Sequence, residues 1–254
     1  PYGASSLKVE VPKTARVVIP EEMPGIPDEQ AEISRALDHP IGTASLSQLA
    51  RGKSDAVIVI NDITRPVPSQ LMLEELLQDL SQAGLKEDQV TVVIATGNHR
   101  PNDDEEIRGM IGRDLASRLR VVNHDCDNKS LLTDLGQTDT GLPVWINTRV
   151  ASASFTIVTG LIMPHHAAGY SGGRKSILPG VAGLETLNRH HSFPIRPYHP
   201  SFGWMKGNPF HEEAVKVARA VGVDFILNVV KNPCGQVVTA VAGGLESCPI
   251  PMIS

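Results

Sequence analysis

Four strand-length apolar runs, each followed by polar and ionisable residues, limit what this chain can fold into more than any other feature. They are "DAVIVI" from residue 55, "QVTVVIATG" from residue 89, "LRVVNHD" from residue 119 and "FTIVTG" from residue 155. Each is apolar on both faces, so each is a strand covered on both sides rather than one with a wet face. Between them lie helical patterns such as "SQLMLEELLQDLSQAG", which ends on a glycine stop, and "NDDEEIRGMI", with acids where a helix N-terminus favours them. Strands of this kind alternating with helices predict an α/β fold, a parallel, doubly wound, Rossmann-like sheet with helices on both faces.

The flanking segments extend this pattern. "LKVEV" and "ARVVIP" read as short N-terminal strands and "PDEQAEISRAL" as a helix, so residues 1–50 are taken as part of the main domain. Residues 50–245 form the ligand-binding α/β domain, with "VDFILNVVK", an "NPCG" turn and "QVVTAVAGG" as a closing hairpin. Residues 246–254, within "LESCPIPMIS", form no element and read as the start of a linker.

Composition excludes several classes. Net charge is −5 with the bases scattered, which leaves no footprint for nucleic acid. The apolar runs are far shorter than a membrane span, and no signal peptide opens the chain. Cys126, Cys234 and Cys248 contain no CxxC pair and read as three small buried or half-buried thiols. A reducing, cytoplasmic location follows.

Ligands of open parallel sheets bind outside the carboxyl ends of the strands. Those ends carry Asp62, Thr64 and Arg65, then His99 and Arg100, then His124 and Asp125, then His165 and His166. Capping of a helix near Pro66 is an equal reading for Thr64. Arg65 beside that helix start is a poor structural cation and fits a bound anion. A solvated surface role is the plainer reading of His99 alone, and His124 with Asp125 read as a local pair.

"AAGYSGGRKSILPG", residues 167–180, comes one residue short of a P-loop, with Arg174 in place of the last glycine before Lys175 and Ser176. A P-loop needs a helix opening at that lysine, and Pro179 within five residues forbids a long one. The G-x-G-x-x-G of a dinucleotide site is absent too. Two histidine doublets flank the loop, His165–His166 and His190–His191, without the spacing of a protein-built zinc site.

"NDITRPVP", "ATGNHR", "PHHAAGYSGGRKSILPG" and "LETLNRHH", in that order, resemble the nickel-dependent lactate racemase family over about residues 15–245. The resemblance implies a racemase or epimerase that inverts C2 of a 2-hydroxy acid by reversible hydride transfer. It implies a nickel-pincer nucleotide (pyridinium-3,5-bisthiocarboxylic acid mononucleotide nickel) covalently attached at Lys175, with His191 as nickel ligand and His190 its less favoured neighbour. His99 and His165 correspond to the acid/base pair. Asp62, Thr64, Arg65, Gly172, Gly173 and Arg174 lie where the family holds the nucleotide, and Arg65 also where it holds a substrate carboxylate. The family further implies a second α/β domain that is missing here, and cofactor-biosynthesis enzymes that supply the pincer. Two other readings stay open from the residues: a nickel-independent phosphate- or nucleotide-handling enzyme, and a non-catalytic nucleotide-binding module.

Overall fold

Strands that are apolar on both faces need cover on both, and the computed structural model, which describes residues 7–18, 23–199 and 201–245, supplies it. The strands are β1 (Ala56–Asn61), β2 (Val90–Ala95), β3 (Arg120–Asn123), β4 (Leu132–Gln137), β5 (Pro143–Asn147), β6 (Thr156–Ile162), β7 (Pro164–His165), β8 (Gly169–Tyr170), β9 (Phe225–Lys231) and β10 (Val237–Gly243). The α-helices are α1 (Glu29–Asp38), α2 (Leu46–Leu49), α3 (Ser69–Gln82), α4 (Asp104–Ile111), α5 (Arg113–Arg118), α6 (Thr148–Ala151), α7 (Arg174–Ile177), α8 (Leu184–His190) and α9 (Pro209–Val221).

The main sheet runs β10-β9-β6-β1-β2-β3. Its strands pair in parallel except for β10, which is antiparallel to β9 as the closing hairpin requires. The chain winds outward from β1 through β2 and β3, then returns to the other side of β1 with β6 and β9. The order therefore reverses between β1 and β6, the place where an open sheet leaves a crevice.

Alternation along β1 shows how both faces are filled. Ile58 and Ile60 enter one core with Ile33 and Leu37 of α1, Leu46 of α2, Leu73 and Leu76 of α3, and Ile111 of α4. Val57 and Val59 enter the other with Val150 of α6, Ile177 of α7 and Val217 of α9. The β4–β5 hairpin adds Val144 and Ile146 to that second face.

Three local expectations need correction. Residues 7–11 form no strand, and neither do residues 15–18; residues 19 and 20 of that run lie outside the described part. Leu7, Val9, Val11, Val17 and Val18 are all exposed, because alternation makes a strand only where a sheet edge receives it. Helix α3 starts at Ser69 with Pro68 at its N-cap, so Thr64 caps nothing and Arg65 stands before the helix rather than on its first turn. Cys126 is buried, whereas Cys234 is exposed on the hairpin turn, and Cys248 is outside the described residues. No helix among the described residues is long and apolar enough to cross a membrane.

Candidate active site

At the β1–β6 crevice a cavity of about 200 Å³ gathers residues from the ends of β1, β2 and β6, the glycine-rich loop and the second histidine doublet. Asn61, Asp62 and Arg65 come from the end of β1, and Thr96, Gly97, Asn98 and His99 from the end of β2. Leu161 lies at the end of β6, His165, Ser171, Gly172 and Lys175 follow it, and His191 follows α8. A larger cavity of about 660 Å³ lies on the other side of α8, around Trp145, Leu132 and Leu184. It holds none of the predicted site residues, so the smaller one is the site.

The glycine-rich loop lies over the carboxyl ends of β6 and β9, tied down at several points. Ser171 Oγ donates to the Leu161 carbonyl at 2.6 Å, Ser176 Oγ to the Thr159 carbonyl at 2.6 Å, and Gly173 N to Asn228 Oδ1 at 2.8 Å. Gly172 has φ +132°, a conformation that suits glycine, and lines the cavity. Helix α7 spans four residues and places Lys175 in its only turn, as the proline after it requires.

Gly173 and Arg174, expected to face a cofactor, turn inward. A Cβ on Gly173 would meet Ile226 and Val158 side chains at 2.8 and 2.9 Å. The Arg174 guanidinium is buried and donates to the carbonyls of Tyr170 at 2.7 Å and of Ala168 and Ser171 at 3.4 Å. It binds its own loop because that loop's carbonyls have no ladder of their own. Thr64 is exposed, and its hydroxyl donates to Asp62 Oδ1 at 2.7 Å.

The histidine partners fix their tautomers. His99 Nδ1 lies 2.6 Å from Asp62 Oδ2; a carboxylate accepts, so Nδ1 carries a proton, and in the neutral ring it is Nε2 that holds the lone pair. His165 is opposite in kind: its Nδ1 accepts from the amides of Ala167 and Ala168 at 3.2 and 3.1 Å, so the neutral ring carries its proton on Nε2. Burial, then the charge of Lys175, pulls His165 down to about 3, and the ring is neutral at pH 7. His191 Nδ1 donates to the Leu187 carbonyl at 3.0 Å, leaving Nε2 free. His190 is fully buried, with Nε2 on the Phe210 carbonyl at 2.8 Å, and is not part of the cavity lining.

Lys175 keeps some surface on the cavity but is densely surrounded by protein. Burial, then the charges of Arg174 and Arg65, pulls its amine down to about 7. Its Nζ stands 5.3 Å from the centre of the Phe210 ring. That ring also packs against His190, His191 and His165, at centroid distances of 3.9, 4.9 and 6.4 Å.

Two strand-end groups stay away. Arg100 pairs with Glu106 at the surface. His124 is buried and joined to the Ala182 carbonyl and the Asn147 amide, not to Asp125. Asn61, Asn98 and Phe210 were not singled out by sequence. The strand-end rule reaches Asn61 directly, whereas nothing local marks Phe210, which meets Lys175 only through the fold.

Comparison with known proteins decides the family. The lactate racemase N-terminal domain family matches residues 2–200. The chain belongs to the lactate racemase family. It is 36% identical to the lactate racemase of Thermoanaerobacterium thermosaccharolyticum over 252 residues, covering 97% of this chain and 59% of that protein. It is also 36% identical to the lactate racemase of Lactiplantibacillus plantarum over 220 residues, covering 86% of this chain and 52% of that one. The lactate racemase apoprotein structure from T. thermosaccharolyticum superposes with a TM-score of 0.81 at 36% identity, over 88% of this chain and 54% of that one. The chain thus spans little more than half the length of these family members, and its mostly parallel, helix-covered sheet is the fold they share.

Proposed function

We propose that this chain is the cofactor-binding half of a racemase that inverts C2 of lactate or a related 2-hydroxy acid. The observation that carries the reading is one cavity in which His99 and His165 present opposite proton states beside a partnerless lysine. A nickel-pincer nucleotide fits the donors present. Among the described residues no three His, Cys, Asp or Glu side chains converge to hold a metal, so a metal here must arrive with its own ligands. His191 offers one bare imidazole nitrogen, its other nitrogen fixed by a carbonyl, as second-shell bonds fix metal-binding histidines. The Oδ1 of Asn61, buried at the cavity with no partner, is an acceptor awaiting a donor.

Lys175 would attach the cofactor, and Arg65, with Asp62 and Thr64 beside it, would hold a phosphate or the substrate carboxylate. When bound, the group supplies an electrophilic hydride acceptor, which spares the enzyme from removing a weakly acidic α-proton. The protein moves the hydroxyl proton. His99, held by Asp62, takes it from one enantiomer at Nε2, and His165 takes that place for the other once its ring has released the Ala167 and Ala168 amides and freed a lone pair. His165 at rest is a donor through Nε2–H; converting the Lys175 amine into a neutral linkage removes one of the charges that hold its basicity down.

The test uses full-length protein produced together with the cofactor-making enzymes. Mass spectrometry is expected to find an adduct at Lys175 with one nickel per chain, and optically pure lactate is expected to lose its rotation. An unmodified Lys175 and unchanged rotation would return the chain to a nickel-independent phosphate- or nucleotide-handling enzyme or a non-catalytic nucleotide-binding module.

A further inference from the structure

We propose that in its cofactor-free form this chain forms an imine at Lys175 with a small 2-keto acid. The inference shares the cavity of the reading above but needs neither nickel nor pincer.

No carboxylate in the cavity pairs with Lys175 to hold it as an ammonium. Its Nζ has no hydrogen-bond or ion-pair partner among the described residues, and its near charged neighbours are the cations Arg174 and Arg65. Asp62 is the carboxylate among the residues lining the cavity, and its oxygens are taken by His99 and Thr64. A lysine surrounded by protein and faced by cations loses its proton easily and becomes a nucleophile. The depressed amine, near 7, agrees with that geometry.

The rest of the cavity selects the carbonyl partner. A volume of about 200 Å³ admits a molecule of a few heavy atoms. Arg65 lines it with a guanidinium that donates only to its neighbour Thr64 among the described residues, and it can take a carboxylate instead. His165 offers Nε2–H to a carbonyl oxygen, and His99 offers a bare Nε2 to a proton. A carbonyl carbon one bond from a carboxylate meets all three groups.

The step is a condensation without net oxidation. The Lys175 lone pair forms the C–N bond while the carbonyl π pair moves to oxygen, which the Nε2–H of His165 steadies without giving up its proton. The new ammonium gives a proton to His99, which returns it to that oxygen, leaving a neutral carbinolamine. The nitrogen lone pair then forms C=N as the hydroxyl leaves, and His99 carries the remaining N–H proton to it, so that water and a neutral imine result. Hydrolysis by the reverse path frees the amine. Because the same nitrogen would carry the pincer, a 2-keto acid, the oxidised form of the substrate class, competes with cofactor attachment.

Full-length protein made without the cofactor-biosynthesis enzymes is incubated with pyruvate and sodium cyanoborohydride, then digested for peptide mass spectrometry. One reduced adduct is expected, on the peptide containing Lys175. With Arg65→Gln the rate with pyruvate is expected to fall about tenfold more than the rate with acetone, which has no carboxylate and loses only what a less depressed Lys175 amine costs. Adducts spread evenly over exposed lysines, or a Lys175 no faster than they are, would overturn the proposal, and so would an equal loss with both carbonyls in the Arg65 variant. These outcomes are read on wild type and one surface-side variant, so no Lys175 substitution has to fold. Racemisation by the loaded enzyme is scored separately: trapping can fail while racemisation stands, and the reverse.

Discussion

His99 and His165 line the same cavity with opposite tautomers, one Nδ1 donating to the carboxylate of Asp62 and the other accepting from the amides of Ala167 and Ala168. The two rings are therefore not interchangeable at rest. Under the function proposed above, His99 meets a substrate as a proton acceptor and His165 as a hydrogen-bond donor, and the asymmetry sets which enantiomer each ring serves first.

Asp62→Asn tests the first half of that relationship. The amide still fits but offers a donor or a weaker acceptor, so Nδ1–H of His99 is no longer enforced and Nε2 loses basicity. The kcat of the loaded full-length enzyme is expected to fall by about 10² or more, within the range one positioned acid/base group contributes. Cofactor content at Lys175 is expected to stay near the wild-type level. A drop in nickel and adduct matching the drop in kcat would place Asp62 on the nucleotide instead.

Arg174→Met tests the loop between His165 and Lys175. The methionine fills similar volume but leaves the carbonyls of Tyr170 and Ser171 without the Arg174 donor, while the Ala168 carbonyl keeps the Tyr170 amide. Buried acceptors left bare cost about 1–3 kcal/mol in total stability. The amides of residues 170–173 are expected to exchange hydrogen faster while the core strands keep their protection. Uniform loss of protection across β1, β2 and β6 would show a global effect instead.

How far the sequence reveals this molecule depends on whether a signal is local. The five parallel strands and the β9–β10 hairpin are legible because burial on both faces leaves continuous apolar runs such as "AVIVI". Helix α9 carries its marks plainly, with Asn208 accepting from Phe210 N, Pro209 in the first turn and left-handed Gly222 at the end. The β4–β5 hairpin is hard to read, since only Val144, Ile146 and Asn147 of its strands are buried and its turn residues interrupt a short pattern. In the site, strand-end positions mark Asp62, His99 and His165 as candidates, and the resemblance of the motifs around them adds Lys175. The direction of Arg174 is not legible, because a cation beside Lys175 looks like a ligand group until the loop carbonyls it satisfies are seen. The roles of Asn228 and Phe210 depend on contacts across tens of residues, which no local pattern encodes.

Gly160→Ala tests how closely the lysine loop sits on β6. A Cβ at this position would meet Gly173 N at 2.5 Å, Asn228 Oδ1 at 2.6 Å and Gly172 C at 2.7 Å. Backbone atoms cannot rotate away, so the loop must lift, breaking the bond from Gly173 N to Asn228. Overpacking of this kind costs about 1–3 kcal/mol. Urea unfolding is expected to show that loss, and labelling of Lys175 by an acylating reagent is expected to speed up as the loop opens. Unchanged stability and labelling would mean that β6 and the loop are further apart than described.

The buried histidines make the fold sensitive to acid. His190 is fully buried, and burial holds its imidazole near 3, well below the roughly 6.5 of an unfolded chain. The fold thus binds the neutral ring, and the unfolded chain binds the proton. The contribution of His190 is complete above about pH 6.5 and is lost as pH falls toward 3. At pH 5 the loss amounts to about 2 kcal/mol from this one group. His190→Gln keeps an N–H for the Phe210 carbonyl and removes the titration. Between pH 7 and pH 5, wild type is expected to lose about 2 kcal/mol more unfolding free energy than His190→Gln, measured by urea titration at each pH. His124, His191 and His211 are also held low by burial and act in both proteins, so they cancel in the difference. Equal slopes would move the acid sensitivity to groups such as Glu32, held near 2 by Arg35, whose stabilisation also fades as pH falls.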